Sequence, residues 1–194
     1  MSKNTLDTQR KIIRAFIELY KTKPVKSIHV NEIAALAKIN RSTFYEYYKD
    51  SFDLLDKIED YLVAIVSKHV YFTPSDFRRQ HIIEELAYRK HPETDTYIIL
   101  LLQKNDSNLN YKLSQKLVDY IYDTYSLDQK DPITKCETAA LCVYVIGFVR
   151  RWIELQDEIN AFSSWQEAEA TVLSSLNDGI NDIVKKAKRR AASN

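Results

Sequence analysis

Residues 40–48, NRSTFYEYY, gather within nine positions an Asn, an Arg, two hydroxyl side chains, one Phe and three tyrosines, without a glycine. These groups suit recognition better than covalent chemistry. An Arg fork can bind guanine through two hydrogen bonds, Ser and Thr hydroxyls donate and accept, and a phenol can reach a phosphate oxygen or stack. The tyrosines could equally fill a core, offer a stacking surface to a ligand, or edge a nucleic-acid-binding helix. The elements that must position them decide which.

Other chemistries find little support. His29, His69, His81 and His91 are scattered, and no pair has the spacing that would put two metal ligands on one helix face. Glu84 with Glu85, and Asp157 with Glu158, are sequence neighbours, so on a helix they point about 100° apart and read as solvated charges rather than a catalytic pair. Gly147 and Gly179 are the only glycines, too few for a phosphate-binding loop. The expectation is a protein that is not an enzyme and needs no metal or cofactor. Cys136 and Cys142 are six apart in an apolar stretch, a spacing for neither a redox pair nor a zinc knuckle, and read as buried thiols in a reducing compartment. The start, MSKNTLDTQRK, has no apolar core of a signal peptide, and no stretch approaches the roughly 20 apolar residues of a membrane span. The expected location is cytoplasmic, with no membrane partner.

The chain has 194 residues, of which 45% are hydrophobic, and contains 2 Gly and 4 Pro. It can bury one sizeable core or two small ones, and it lacks the turn residues that sheets require. An all-α fold of about nine helices follows from the periodicity. The first, over 5–21, carries Ile12, Ile13, Phe16, Ile17 and Tyr20 on one face and ends before Pro24. Two short helices follow, over 30–36 and 41–48. A longer one begins at the capping Asp50 with a stripe of Phe52, Leu55, Ile58, Leu62, Ile65 and Val66. Five more are expected over 75–90, 92–104, 107–125, 132–156 with Asp131 as cap, and 164–189 opening on the capping-box pattern SWQE.

The two short helices are joined by AKIN, residues 37–40. A turn that brief forces a steep crossing, which is helix-turn-helix geometry. Ile33, Ala34, Ala37, Phe44 and Tyr48 should face inward. With Asn40 as cap, Arg41, Ser42 and Thr43 project from the first turn towards base edges, while Tyr45 and Tyr47 face phosphates. On that assignment Arg41→Ala alters sequence preference, whereas Tyr45→Phe weakens every sequence similarly. Charge agrees: residues 1–49 carry 10 Lys and Arg against 4 Asp and Glu, and residues 50–184 carry 13 against 23. A basic head on an acidic body points to a polyanion partner for the head.

The run IHVNEIAALAKINRSTFYEYYKDSFDLLDKI, residues 28–58, resembles the DNA-binding domain of the TetR/AcrR family of bacterial transcriptional regulators. It matches that family's pattern at Ile28, Val30, Ile33, Ala34, Ala37, Thr43, Tyr45, Tyr47, Tyr48 and Leu54. The resemblance implies an N-terminal three-helix DNA-binding domain, residues 1–50, and a helical ligand-binding and dimerisation domain, residues 51–194. It departs from the pattern at Lys38, where the family has its turn glycine, at His29 for Ser or Thr, at Asn40 for Ser, at Ser42 for Gly and at Ser51 for a phosphate-binding Lys. Ser27 then takes part of the role of the residue at 29, and Lys49 is positioned to supply the charge missing at 51. The DNA-contacting set is therefore Ser27, His29, Lys38, Asn40, Arg41, Ser42, Thr43, Tyr45, Tyr47 and Lys49. The stretch ALCVYVIGFVRRWIELQDEINAFSSWQEAEATVL is similar to the end of one TetR-type regulatory domain.

The helix over 132–156 is apolar almost all round between Ala139 and Val149, which requires cover on every side. Together with helix 164–189 it could form a four-helix interface with a second copy of the chain; both could instead be intramolecular core. Of the body aromatics, Tyr97, Tyr120, Tyr144, Phe148 and Trp152 could line a cavity for an apolar or aromatic small-molecule effector, or simply pack. The expected protein is a homodimeric repressor of a near-palindromic double-stranded DNA operator, released by its effector. The alternative is a TetR-like coactivator that binds another regulator in place of DNA.

Overall fold

The computed structural model describes residues 3–69, 92–154 and 162–192. The protein is all-α, and no strand occurs among the described residues. The described helices are α1 (Lys3–Thr22), α2 (Val30–Ala37), α3 (Arg41–Tyr45), α4 (Ser51–His69), α5 (Pro92–Gln103), α6 (Leu109–Tyr125), α7 (Pro132–Glu154) and α8 (Phe162–Ala192), with a tight helical turn at Val25–Ser27. The helix expected over 75–90 lies outside the described residues. The chain divides into two compact units, Met1–Ala64 with Glu93–Leu109, and Ile65–Pro92 with Asn110–Asn194.

In the first unit α1 packs on α2, and α2 on α3. Ile12, Phe16, Ile17 and Tyr20 of α1 are fully buried, as are Ile33 of α2, Phe44 of α3 and Leu54 and Leu62 of α4. This is the inward stripe the periodicity predicts, with one correction. Phe52, placed in the α4 stripe by sequence, is 54% exposed. The inward row of α4 runs through Ser51, Leu54, Leu55, Ile58 and Leu62, all buried; Phe52 stands one residue, about 100°, further round and faces out.

A short segment after α5 is fastened to α1 and α4. The Asp106 carboxylate accepts hydrogen bonds from the Tyr20 hydroxyl at 2.6 Å and the Val25 N–H at 2.7 Å. Glu59, buried on α4, accepts from the Ser107 hydroxyl at 2.9 Å and the Asn108 N–H at 2.7 Å. Lys104 donates to the Lys21 carbonyl and lies over the Tyr20 ring. Burial and the neighbouring Asp106 carboxylate keep the Tyr20 phenol protonated. Partial burial works against ionisation of Asp106, yet the bonds from Tyr20 and Val25 hold its carboxyl below the usual range.

The second unit has a core of Leu117 and Ile121 from α6, Cys142 and Val145 from α7, and Leu176 and Ile180 from α8, with Tyr120, Tyr125, Leu141, Phe148 and Val184 packed against it. Burial pushes the Cys142 thiol up to about 12, so it stays protonated. Cys136, expected to be buried as well, is exposed, because it falls on the face of α7 opposite Thr134, Thr138 and Cys142. The start of α7 is capped as its sequence predicts, with Asp131 accepting the Ile133 N–H. Arg190 near the end of α8 reaches the same carboxylate at 2.9 Å and Glu137 at 3.1 Å, and also donates to the Thr134 hydroxyl. The hydroxyl of Thr134 first, and Arg190 with it, hold the Asp131 carboxyl down at about 2.

Candidate nucleic-acid interface

The candidate surface is the exposed side of α2, its turn and α3. At its entry His29 takes an extended backbone before α2. Glu32, three residues on, accepts the His29 N–H at 3.0 Å and pairs with Lys23 at 2.6 Å. A carboxylate at this position satisfies an otherwise orphaned donor and complements the positive end of the helix dipole. The Lys23 bond, then the His29 N–H, hold its carboxyl below the usual range. Glu32 thus supplies the helix start that the His29 departure put in question, and its spacing from His29 is the signal in the sequence that reveals it.

The turn is built on Lys38, whose backbone sits at φ 56° and ψ 48°, the left-handed region. The Ile39 N–H returns to the Ala34 carbonyl at 3.0 Å, the closing bond of a Schellman-type helix end. That geometry favours Gly, and a residue with a Cβ adopts it at a cost of roughly 1–2 kcal/mol. The chain adopts this turn without a glycine and accepts strain at Lys38, whose side chain is exposed.

Asn40 precedes α3 with the extended backbone of a cap, φ −74° and ψ 149°, but its side chain makes no capping hydrogen bond, contrary to expectation. Its carbonyl instead accepts the Phe44 N–H and its side chain is exposed. Helix α3 is also shorter than the expected 41–48. The N–H groups of Tyr47 and Tyr48 both return to the Phe44 carbonyl at 3.0 Å, so the chain tightens into a turn after Tyr45. This turn still delivers Tyr48 to the core beside Phe44, with ring centroids 5.6 Å apart. Burial, with Asp53 and Tyr47 nearby, pushes the Tyr48 phenol up to about 12.

Arg41, Ser42 and Tyr45 are exposed, Thr43 and Tyr47 half-buried. Arg41 donates to the Tyr45 hydroxyl from Nε at 3.2 Å and Nη2 at 2.8 Å, and its guanidinium carbon stands 5.3 Å from the Tyr45 ring centroid. Ser27 and His29 are exposed beside the start of α2, and Lys49 is exposed ahead of α4. Ser51 is buried, so the small side chain belongs to the packed first turn of α4.

Residues that sequence spacing left unnoticed fix this surface from behind. Lys57 donates to the Tyr47 carbonyl at 3.0 Å and to Asp53 at 3.0 Å, and lies over the Tyr48 ring. Asp53 accepts the Lys49 N–H, and Asp50 accepts the Asp53 N–H. The Lys49 N–H above all, then Lys57, hold the Asp53 carboxyl below the usual range. The i, i+4 spacing of Asp53 and Lys57 is visible in the sequence; the reach of Lys57 back to residue 47 is not.

The candidate effector residues are divided between the two units. Tyr120 and Phe148 pack against the core of the second unit, Tyr144 is 48% exposed, and Tyr97 belongs to the first unit, half-buried. The side chain of Trp152 lies outside the described residues. Among the described residues no cluster of His, Cys, Asp and Glu could hold a metal ion, and no described helix is long and apolar enough to cross a membrane.

No family model matches the chain, and no curated protein matches it. Among solved structures it is similar to one titled "Dihydroxyacetone kinase operon activator DhaS", with 18% identity over 94% of this chain and 95% of that chain, at a TM-score of 0.43.

Proposed function

We propose that the protein is a TetR-type transcriptional regulator: a dimeric, effector-released repressor of a near-palindromic operator, whose α3 enters the major groove. The observation that carries this reading is the two-sidedness of α2, the turn and α3. One side buries Ile33, Ala34, Ala37, Phe44 and Tyr48; the other exposes Lys38, Asn40, Arg41, Ser42 and Tyr45 without a carboxylate on α3. Arg41, Ser42 and Thr43 are assigned to base edges, and Ser27, His29, Lys38, Tyr45, Tyr47 and Lys49 to phosphates. Residues 1–50 form the DNA-binding domain in this reading and 51–194 the regulatory domain.

Dimerisation is assigned to α7 and α8. Ile133, Val143 and Tyr144 of α7 are exposed large apolar side chains, and a Cβ added at Gly147 would meet nothing within 4 Å. A second copy of the chain would cover this face through an isologous contact. Effector binding among the body aromatics would then act through α4, which has residues in both units, and alter the separation of the two heads. Half-sites on one face of the duplex lie about 34 Å apart, so a change of a few ångströms costs affinity.

Affinity for duplex DNA measured by fluorescence anisotropy across a salt series tests the reading. Binding should weaken steeply as counterion release loses its advantage. A salt-independent complex, or none at low salt, contradicts it.

A further inference from the structure

We propose that Tyr45 positions Arg41 for base reading, so that the phenol sets sequence preference in addition to holding the DNA backbone. The inference rests on the reading of α3 as the groove helix and gives one of its residues a second role.

Arg41 and Tyr45 are four residues apart on the exposed face of α3. The Tyr45 ring is held from beneath: it meets the fully buried Phe44 edge-on, at 5.7 Å between centroids and 88° between planes. The guanidinium of Arg41 is held in turn by that ring, through the cation–π contact at 5.3 Å and two hydrogen bonds to one oxygen. A restraint thus runs from the core through Tyr45 to the end of a long side chain that would otherwise sample many rotamers.

The atoms used by this contact are also the right ones. Tyr45 occupies the side of the guanidinium formed by Nε and Nη2. The end formed by Nη1–H and the second Nη2–H remains open, and two parallel donors there match the O6 and N7 acceptors of guanine. The Tyr45 oxygen accepts from Arg41, and its own O–H is left to donate to a phosphate oxygen. One phenol can therefore bridge a backbone anchor and a base-reading fork, registering the second against the first.

A phosphate role alone predicts that Tyr45→Phe weakens all duplexes by one factor. Positioning predicts a loss concentrated on duplexes carrying the base pair that Arg41 reads. The test takes a motif recovered by selection from random duplex DNA and measures the affinity of four proteins for it and for its single base-pair variants: wild type, Arg41→Ala, Tyr45→Phe and the double variant. Thermal melts check that each is folded, which is expected because Tyr45 is 46% exposed and Phe retains the ring. Arg41→Ala should reduce the preference at one base pair per half-site by about tenfold or more. Tyr45→Phe should reduce the preference at the same pair by about threefold, and should add nothing to it in the Arg41→Ala background. A pool without a motif overturns this inference together with the reading beneath it. A motif whose preference survives Tyr45→Phe, or survives Arg41→Ala, overturns the inference alone.

Discussion

At the scale of single residues, the departures from the TetR/AcrR pattern that residues 28–58 resemble are where the chain is most informative. Lys38 holds a left-handed backbone that Gly would adopt freely. Strain of this kind persists where something offsets it, and if the turn faces DNA as proposed, the gain is a cation for phosphate. Lys38→Gly should therefore stabilise the protein by about 1 kcal/mol in denaturant unfolding while weakening binding to all duplexes alike and lowering the salt slope by about one. A more stable variant with unchanged DNA affinity would leave Lys38 without a role in binding. The sequence revealed that this position was odd, but not whether the turn would be reached through a left-handed residue; the structure puts φ at 56° there. The contact between Arg41 and Tyr45 is not legible in the sequence, because an i, i+4 interval permits a contact without choosing a rotamer.

At the scale of elements, periodicity placed the described helices and most of the buried rows, since burial of one face follows from a 3.6-residue repeat. It misplaced Phe52, one residue from an inward row, and drew α3 three residues too long, because a tight turn after Tyr45 still keeps Tyr48 on the core side; Cys136, expected to be buried from its apolar surroundings in sequence, falls on the opposite face of α7 from Cys142. The segment 104–108 was illegible for a different reason. Its bonds to Tyr20, Val25 and Glu59 join residues 48 to 86 positions apart, and local pattern carries no such information. Asp106→Ala should cost about 1–3 kcal/mol, the penalty for stranding the buried Tyr20 hydroxyl and the Val25 N–H. Combined with Tyr20→Phe, the loss should be less than additive in a double-mutant cycle. In the second unit Asp131 joins the start of α7 to Arg190 of α8. Its folded pKa, about 2, lies below the ordinary carboxylate value. The associated stability is present above pH 4 and is lost as pH falls from about 4 towards 2. Thermal melts should show an acid limb in the wild type that is shallower in Asp131→Asn; identical limbs would remove Asp131 from the acid response.

At the scale of the whole molecule, the proposed recognition of a near-palindrome would need two heads, and hence the apolar face of α7 covered by a second copy. Val143 is 65% exposed, so Val143→Arg should leave the core intact while placing like charges across a two-fold contact. Sedimentation should find the wild type dimeric at micromolar concentration and the variant monomeric, with weaker operator binding; a dimeric Val143→Arg protein would move the interface elsewhere. The acidic body, with 23 Asp and Glu against 13 Lys and Arg over residues 50–184, would be repelled by DNA and leave contact to the basic head. The most direct measurement is selection of the wild-type protein against a pool of random duplex DNA. It should enrich two inverted half-sites with centres about one helical turn, or 34 Å, apart, each with a guanine whose replacement is tolerated by Arg41→Ala. A pool that emerges without any shared motif, under salt conditions where the protein is folded, would contradict DNA reading by this head.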